Sequence, residues 1–336
     1  MDADGHPIRH GGDPAALARA FPDAPRPWLD LSTGINPLPW PVGPIPPASW
    51  ARLPLPGELA TLRDVAAAAY RAPGAAFVAP APGTQILIGL LPRLRPPGRV
   101  AVVGRTYGEH APAWRAAGHR VATVPSVDRT DGADVVVVVN PNNPDGRTVE
   151  PAVLLAVAAD LAERGGLLVV DEAFADVRPD VSVASAAGRP GLVVLRSFGK
   201  FHGLAGLRLG FALSDAATTG AILATLGPWA VSGPALHLGS AALADADWTV
   251  ATRVRLGADA ARLDGIVRRA GAAVLGGTDL FRLVRVADAA SWIRRLGAAG
   301  IHVRAFDEVP DEIRFGLPGP AADWRRLAAT LGTTAD

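Results

Sequence analysis

The sequence predicts an α/β protein with a large domain, built on a mostly parallel sheet with helices on both faces, and a smaller C-terminal α+β domain. Three observations carry this. Short apolar runs alternate with helical stretches at strand, helix, strand spacing between residues 77 and 213. The run ADVVVVV at 133–139 is β-branched without a polar break, the mark of a strand covered on both faces. After about Pro228 the rhythm changes to long helical stretches and closely spaced strands.

The first 50 residues hold eleven prolines, from Pro7 to Pro47, which forbid long helices. Residues 1–40 therefore read as an arm, 41–228 as the large domain and 229–336 as the small one. ELATLRDVAAAAY at 58–70 reads as an amphipathic helix. Phe77–Ala79 is a strand, and Pro82-Gly83 opens a helix from Thr84 to Leu94. Strands follow at Arg99–Val103, His119–Val124, Ala133–Val139, Gly166–Val170, Leu192–Leu195 and Leu207–Leu213, with helices at Tyr107–Ala117 and Glu150–Arg164. In the small domain, helices at Val231–Leu243 and Trp248–Ala270 precede strands at Ala272–Val274 and Leu280–Val286. A helix at Ala289–Ala299, strands at His302–Ala305 and Glu312–Gly316, and a terminal helix complete the chain.

Composition narrows the function. At 336 residues the chain can bury a core without disulfide or metal staples. Charges nearly cancel, at 33 basic against 32 acidic, with no block of like charge, so no nucleic-acid partner is expected. The absence of cysteine excludes disulfides, thiolate zinc sites and a cysteine nucleophile. The seven histidines are scattered without a close ligand pair, so no metal site is expected. The N-terminus MDADGHPIRHGGD is polar and unlike a signal peptide. The charge-free stretch Ala216–Ala244 is broken by Gly220, Gly227, Pro228, Gly233, Pro234 and Gly239, and reads as buried helix, turn, helix rather than a membrane span. A cytoplasmic location is the expectation.

Lys200 is the single lysine among the 33 basic residues. Arginine replaces lysine wherever charge alone is wanted, but it cannot supply a neutral primary amine. Lys200 is therefore a candidate nucleophile before any motif is considered.

In a parallel α/β sheet, ligands sit at the carboxyl ends of the strands. Four polar clusters fall there: NPNNPDG at 140–146, DEAF at 171–174, SFGK at 197–200, and Gly83-Thr84-Gln85 opening a helix. Alone, each admits a plainer reading, as a turn or a helix cap. Together they fit pyridoxal 5′-phosphate. A lysine amine forms an imine with the cofactor aldehyde. A buried carboxylate pairs with the ring nitrogen, and an asparagine donates to the ring oxygen. Amides at a helix start, a hydroxyl and an arginine take the phosphate. Tyr107 follows a strand and is placed to stack on the ring, though a core aromatic is the plainer reading.

SFGKFHGLAGLRLG at 197–210 closely resembles the cofactor-lysine signature of the class I/II aminotransferase superfamily, fold type I of the pyridoxal phosphate enzymes. The similarity runs over nearly the whole chain. It implies that Lys200 is the catalytic lysine, Asp171 the ring-nitrogen partner and Asn143 the ring-oxygen donor. Ser197, Arg208 and the 83–85 turn would take the phosphate. Arg314, in EIRFGLP, matches the substrate-carboxylate arginine. A homodimer is likewise implied.

His10-Gly11-Gly12, WLDLSTGINPLPWP at 28–41 and GPWAVSGPA at 227–235 are similar to the threonine-phosphate decarboxylases of cobalamin biosynthesis. These relatives of histidinol-phosphate aminotransferase convert L-threonine O-3-phosphate to (R)-1-amino-2-propanol O-2-phosphate. The resemblance implies that His10, Gly11 and Asn36 help close the site over substrate. Two features depart from the superfamily. Phe174 stands where many members have a tyrosine bonding the ring oxygen, which is expected to raise the imine pKa. RLPLPGELATLR at 52–63 lacks the tyrosine that reaches a neighbouring subunit's cofactor phosphate, with Leu53 or Leu55 in its place.

Transaminases and decarboxylases share these cofactor residues and differ in how they grip substrate. The alternative is therefore an aminotransferase of histidinol-phosphate type, using a 2-oxo acid. A non-catalytic cofactor-binding regulator would carry a DNA-binding domain, and no basic helix-turn-helix stretch is evident.

Overall fold

The computed structural model describes residues 11–335 except Pro14 and Asp131. His10 thus lies outside the described residues. Strands are β1 (Leu29–Leu31), β2 (Val78–Ala81), β3 (Arg99–Val103), β4 (Arg120–Val124), β5 (Val135–Val139), β6 (Leu167–Asp171), β7 (Leu192–Ser197), β8 (Gly210–Ser214), β9 (Ala273–Thr278), β10 (Phe281–Arg285), β11 (Ile301–Ala305) and β12 (Glu312–Gly316). Helices are α1 (Ala15–Ala20), α2 (Pro47–Ala51), α3 (Pro56–Ala69), α4 (Thr84–Leu90), α5 (His110–Ala116), α6 (Pro151–Glu163), α7 (Phe198–Phe201), α8 (Ala216–Leu226), α9 (Gly233–Ala244), α10 (Ala246–Arg269), α11 (Ala289–Ala298) and α12 (Ala321–Leu331).

Two compact units result. The first takes in residues 40–143 and 148–247. Its seven-stranded sheet has the order β2-β8-β7-β6-β5-β3-β4, and only β8 runs against the rest. Strands β5 and β6 are buried at every position, as an unbroken apolar run requires when both faces are covered. Alternate residues feed two cores. Val136, Val138, Leu168, Val170, Leu192 and Val194 pack on one face, under α3, α6 and α9. Val135, Val137, Val169, Val193 and Leu195 pack on the other, with Leu87, Ile88 and Trp114 from α4 and α5.

Helix boundaries follow local chemistry. Proline opens α2, α3 and α6, where its missing N–H is not needed. Glu58 accepts from Leu55 N at 2.9 Å to anchor α3. Asp215 caps α8 by accepting from Thr218 N at 2.9 Å. The last large-sheet strand begins at Gly210 rather than Leu207, because residues 205–207 form a 3-10 turn and Arg208 is left-handed (φ 53°).

Among the described residues, the second unit takes in 11–39, 144–147 and 248–335. Its five-stranded sheet has the order β1-β11-β12-β10-β9. Strand β1 pairs parallel to β11, Leu29 opposite Ile301 and Leu31 opposite Val303. The arm segment therefore joins this unit's sheet instead of standing apart. The division also falls at Asp247 rather than at 228, because α9 packs on α3 within the first unit. Leu256, Leu263, Ile266, Phe281, Ile313, Phe315, Trp324 and Leu327 form the second unit's core.

Candidate active site

The carboxyl ends of β5, β6 and β7 and the turns after β2 and β3 enclose a cavity of about 180 Å³ in the first unit. Lys200, Asp171, Asn143 and Tyr107 line it. So do Gly83, Thr84, Gln85, Ser197 and Arg208. The nine residues expected to meet the cofactor thus come together, from a span of 126 positions in sequence.

The three asparagines of NPNNPDG divide their work. Asn140, wholly buried, donates to Val149 O and Val181 O and accepts from Val149 N, holding the loop. Asn142 donates to Arg105 O and accepts from the Thr106 hydroxyl at 2.5 Å. Asn143 is the one that faces the cavity.

Asp171, the last residue of β6, is 3 % exposed. Its Oδ1 accepts from Ala173 N at 3.0 Å, and its Oδ2 lies 2.9 Å from His110 Nε2. His110 opens α5 and is itself 1 % exposed. Tyr107 meets the His110 ring edge-on and donates its hydroxyl to Gln85 Oε1 at 3.0 Å. Gln85 in turn donates to Glu109 at 3.3 Å. Burial, with Glu109 and Asp171 nearby, pushes the Tyr107 phenol up to about 12. Tyr107 therefore stays a hydrogen-bond donor at neutral pH.

Lys200 sits in the short helix α7, its Nζ 5.9 Å from the centre of the Phe174 ring. Arg208 donates to Ala205 O at 3.0 Å and packs against Gly83, whose added Cβ would come within 2.5 Å of Nη2. Gly83 also has φ 86°, so this turn needs glycine on two counts. An arginine, the Ser197 hydroxyl and the Thr84 and Gln85 amides at the start of α4 thereby line the same cavity, while the Gly83 amide donates to Ala81 O at 2.7 Å, and this chemistry suits a phosphate dianion. A single amine, a buried carboxylate held by histidine and an asparagine make up the rest, and this set fits pyridoxal phosphate.

The remaining expected residues lie in the second unit. Arg314, on β12, is buried and donates from Nη2 to Ser32 O at 2.8 Å. Burial, together with Arg304 opposite it in register, pushes its guanidinium down to about 10. Gly11 approaches the same residue so closely that a Cβ would lie 2.5 Å from Ser32 O. Asn36 is 2 % exposed, and its Oδ1 accepts from Leu38 N at 3.1 Å and from Arg255 Nη2 at 2.8 Å.

Sequence reasoning passed over His110, Arg304 and Arg255. His110 was visible as the residue one helical turn beyond Tyr107, once the search for histidines is widened beyond metal pairs. Arg304 and Arg255 meet their partners only through tertiary structure. Among the described residues, no group of three His, Asp or Glu is placed to hold a metal, and no helix is long and apolar enough to cross a membrane.

The family model for aminotransferase class I and II matches residues 58–331. A threonine-phosphate decarboxylase of Pseudomonas aeruginosa is 45 % identical over 327 residues, 96 % of this chain and 97 % of that protein. One from a Sinorhizobium species is 47 % identical over 331 residues, 97 % of this chain and 98 % of that protein. Histidinol-phosphate aminotransferases match less of the chain, as in Cronobacter sakazakii, 32 % identical over 44 % of each protein. Among solved structures, histidinol-phosphate aminotransferase from Sinorhizobium meliloti in complex with pyridoxal-5′-phosphate superposes with a TM-score of 0.80 at 25 % identity, covering 98 % of this chain and 95 % of that one. L-threonine-O-3-phosphate decarboxylase from Porphyromonas gingivalis shares the fold, with a TM-score of 0.71 at 21 % identity over 84 % of this chain and 93 % of that one. With its cofactor-type cavity, its sheet order and a match that spans most of its length, the chain belongs to the class I and II aminotransferase family of pyridoxal phosphate enzymes.

Proposed function

We propose that this protein is a carboxy-lyase that decarboxylates L-threonine O-3-phosphate to (R)-1-amino-2-propanol O-2-phosphate and CO2 in cobalamin biosynthesis. The observation that carries the reading is the 45–47 % identity to threonine-phosphate decarboxylases over nearly the full chain, against 32 % over less than half for the histidinol-phosphate aminotransferase from Cronobacter sakazakii.

When bound, pyridoxal phosphate supplies an aldehyde that takes up an amino group and a ring that accepts the electron pair left by departing CO2. Lys200 would hold the cofactor at its aldehyde, and its Nζ would supply the proton that takes the place of the departing carboxylate. Asp171 keeps a proton on the ring nitrogen, and His110 and the Ala173 amide hold that carboxylate in place. Asn143 donates to the ring oxygen, and Tyr107 stacks on the ring while its hydroxyl stays engaged with Gln85. Ser197, Arg208 and the Gly83-Thr84-Gln85 turn would bind the cofactor phosphate, the turn through its Thr84 and Gln85 amides, since the Gly83 amide is held by Ala81 O. Arg314 takes the substrate carboxylate. His10, Gly11 and Asn36 contribute to closing over the substrate.

A substrate with both a carboxylate and a phosphate needs more than one cationic grip. Arg304, in register with Arg314 on the neighbouring strand, is the candidate for that further grip, since Arg255 is taken up by Asp259 and Asn36. Trp50, Leu53, Leu55 and Trp229 stand exposed in the first unit, an apolar surface that suits a second copy of the chain and hence a homodimer. A cytoplasmic location accords with a small-molecule substrate.

The test is product analysis after mixing purified protein, pyridoxal phosphate and L-threonine O-3-phosphate, with and without 2-oxoglutarate. Aminopropanol phosphate and CO2 formed without the oxo acid support the reading. Glutamate that appears only with 2-oxoglutarate replaces it with the aminotransferase reading, which the 0.80 TM-score to a histidinol-phosphate aminotransferase keeps open. Sedimentation of the holoenzyme at twice the mass of the chain is the expected outcome for the dimer.

A further inference from the structure

Side chains along a strand point alternately to opposite faces. Asp171 and Ser197 belong to the face that carries Val169, Val193 and Leu195. Their chain neighbours Glu172 and Arg196 belong to the reverse face, and there they form a buried charged cluster. Glu172 is 0 % exposed and Arg196 4 %. Arg196 Nη1 donates to Glu172 at 2.8 Å, and Nη2 donates to Asp176 at 2.5 Å. Glu172 also accepts from the Ser182 hydroxyl at 2.5 Å and from Val183 N at 2.6 Å. The Arg196 guanidinium lies 4.5 Å over the Tyr70 ring. In the backbone, Glu172 N donates to Leu195 O at 2.9 Å, so the same two strand ends are tied twice.

We propose that Arg196 and Glu172 are positioning residues, whose bridge across the ends of β6 and β7 sets the separation of Asp171 from Ser197 to the length of the cofactor. This rests on the reading of Asp171 as the ring-nitrogen residue and Ser197 as a phosphate residue. The cofactor is a rigid ring that carries its phosphate on a short methylene ester, so its two gripped ends keep a narrow range of separations. The bridge lies one residue from each grip, on the opposite face of the sheet, where it touches neither ligand nor solvent. A buried ion pair adds little net stability over well-packed apolar side chains, because desolvation offsets the attraction. It does add direction. A planar fork bonded to two carboxylates admits one arrangement, whereas packed methyl groups slide. The cluster is thus of a kind that fixes geometry at little gain in stability, next to the two residues whose spacing matters.

The experiment measures two quantities on the full-length protein: the Kd for pyridoxal phosphate by absorbance titration, and the melting temperature without cofactor. Arg196→Lys keeps the charge and cannot bridge both carboxylates. It is expected to raise Kd about tenfold, the equivalent of one charged hydrogen bond, while the cofactor-free melting temperature shifts by only a few degrees. Glu172→Gln keeps size and an accepting oxygen and is expected to act in the same direction, which covers the case of a poorly folded Arg196 variant. Combined with Ser197→Ala, Arg196→Lys should cost less than the sum of the two, because it acts through that residue. A Kd raised by Ser197→Ala and Asp171→Asn but unmoved by Arg196→Lys and Glu172→Gln overturns the clamp alone. Strictly additive effects do the same. A Kd unmoved by Ser197→Ala and Asp171→Asn removes the reading of those residues, and the clamp with it.

Discussion

His110 Nε2 and Asp171 Oδ2 lie 2.9 Å apart, 61 residues apart in sequence, with both side chains almost wholly buried. A carboxylate at the end of a buried strand is stable as an anion only if donors surround it. Here the Ala173 amide donates to Oδ1, and His110 Nε2 lies within hydrogen-bond distance of Oδ2. Replacing His110 by alanine removes the imidazole contact. The expected result is a fall in kcat of about ten- to hundredfold, the range set by a charged hydrogen bond, with KM for substrate little changed. Steady-state CO2 release checks it. A His110→Ala enzyme with full kcat would show that Asp171 needs no help from this side.

The protein has two tyrosines, and both are held protonated. Burial, with Asp176 nearby, raises Tyr70 far above the ordinary phenol value, and Tyr107 is pushed up to about 12. The sign follows directly. The unfolded chain ionises near the usual value of about 10, while the folded chain keeps its protons, so this stability is present below that pH and is lost as pH rises through the folded values. Absorbance at 295 nm should therefore show almost no tyrosinate in the folded protein at pH 10.5 to 11, where free phenols are mostly ionised, a window of about one unit above the ordinary phenol value. In denaturant both tyrosines should titrate near 10. A full tyrosine step in the folded protein near pH 10 would contradict the burial of both rings.

Phe174 is buried beside Lys200, with the Nζ 5.9 Å from its ring centre. A phenol at this position can donate to the ring oxygen of the cofactor and so favour the form in which the lysine linkage is unprotonated. Its absence leaves that task to Asn143. In an absorbance titration of the holoenzyme, Phe174→Tyr is expected to shift the pH midpoint of the cofactor band downward. An unchanged midpoint would place the residue 174 side chain out of reach of the ring oxygen.

What the sequence made legible and what it did not separate along one physical line. The valine strand β5 and the cofactor-type cluster around Lys200 are written in local composition: an unbroken apolar run, and an amine retained where every other cation is arginine. Strand β1 was missed because it is three residues long within a proline-rich segment, and its evidence is a parallel pairing with Ile301–Val303, some 270 residues away. The boundary at 228 failed for a related reason. Helix α9 looks like the start of a new rhythm, yet Gly233 sits so near Ser49 that a Cβ would come within 2.2 Å of its carbonyl. That close approach assigns the helix to the first unit, and periodicity along the chain cannot reveal it.

Arg314 and Arg304 face each other across β11 and β12, and Arg314 is buried with Nη2 fixed to Ser32 O. Two guanidinium groups in neighbouring strands repel, and burial deepens the penalty, which is why Arg314 is pushed down to about 10. An anion bound there would offset the repulsion, as the proposed role of Arg314 at the substrate carboxylate requires. Arg314→Ala removes the fork and is expected to raise KM for L-threonine O-3-phosphate by roughly a hundredfold, about 3 kcal/mol for a charged bidentate contact, with the Kd for pyridoxal phosphate unchanged. Arg314→Lys keeps a cation without the fork and should recover only part of that loss. Both constants can be read from one preparation, by steady-state kinetics and cofactor titration. If KM holds while the cofactor Kd rises, Arg314 serves the cofactor and the carboxylate is gripped elsewhere. If neither moves, its burial against Ser32 is structural and Arg304 becomes the residue to vary next.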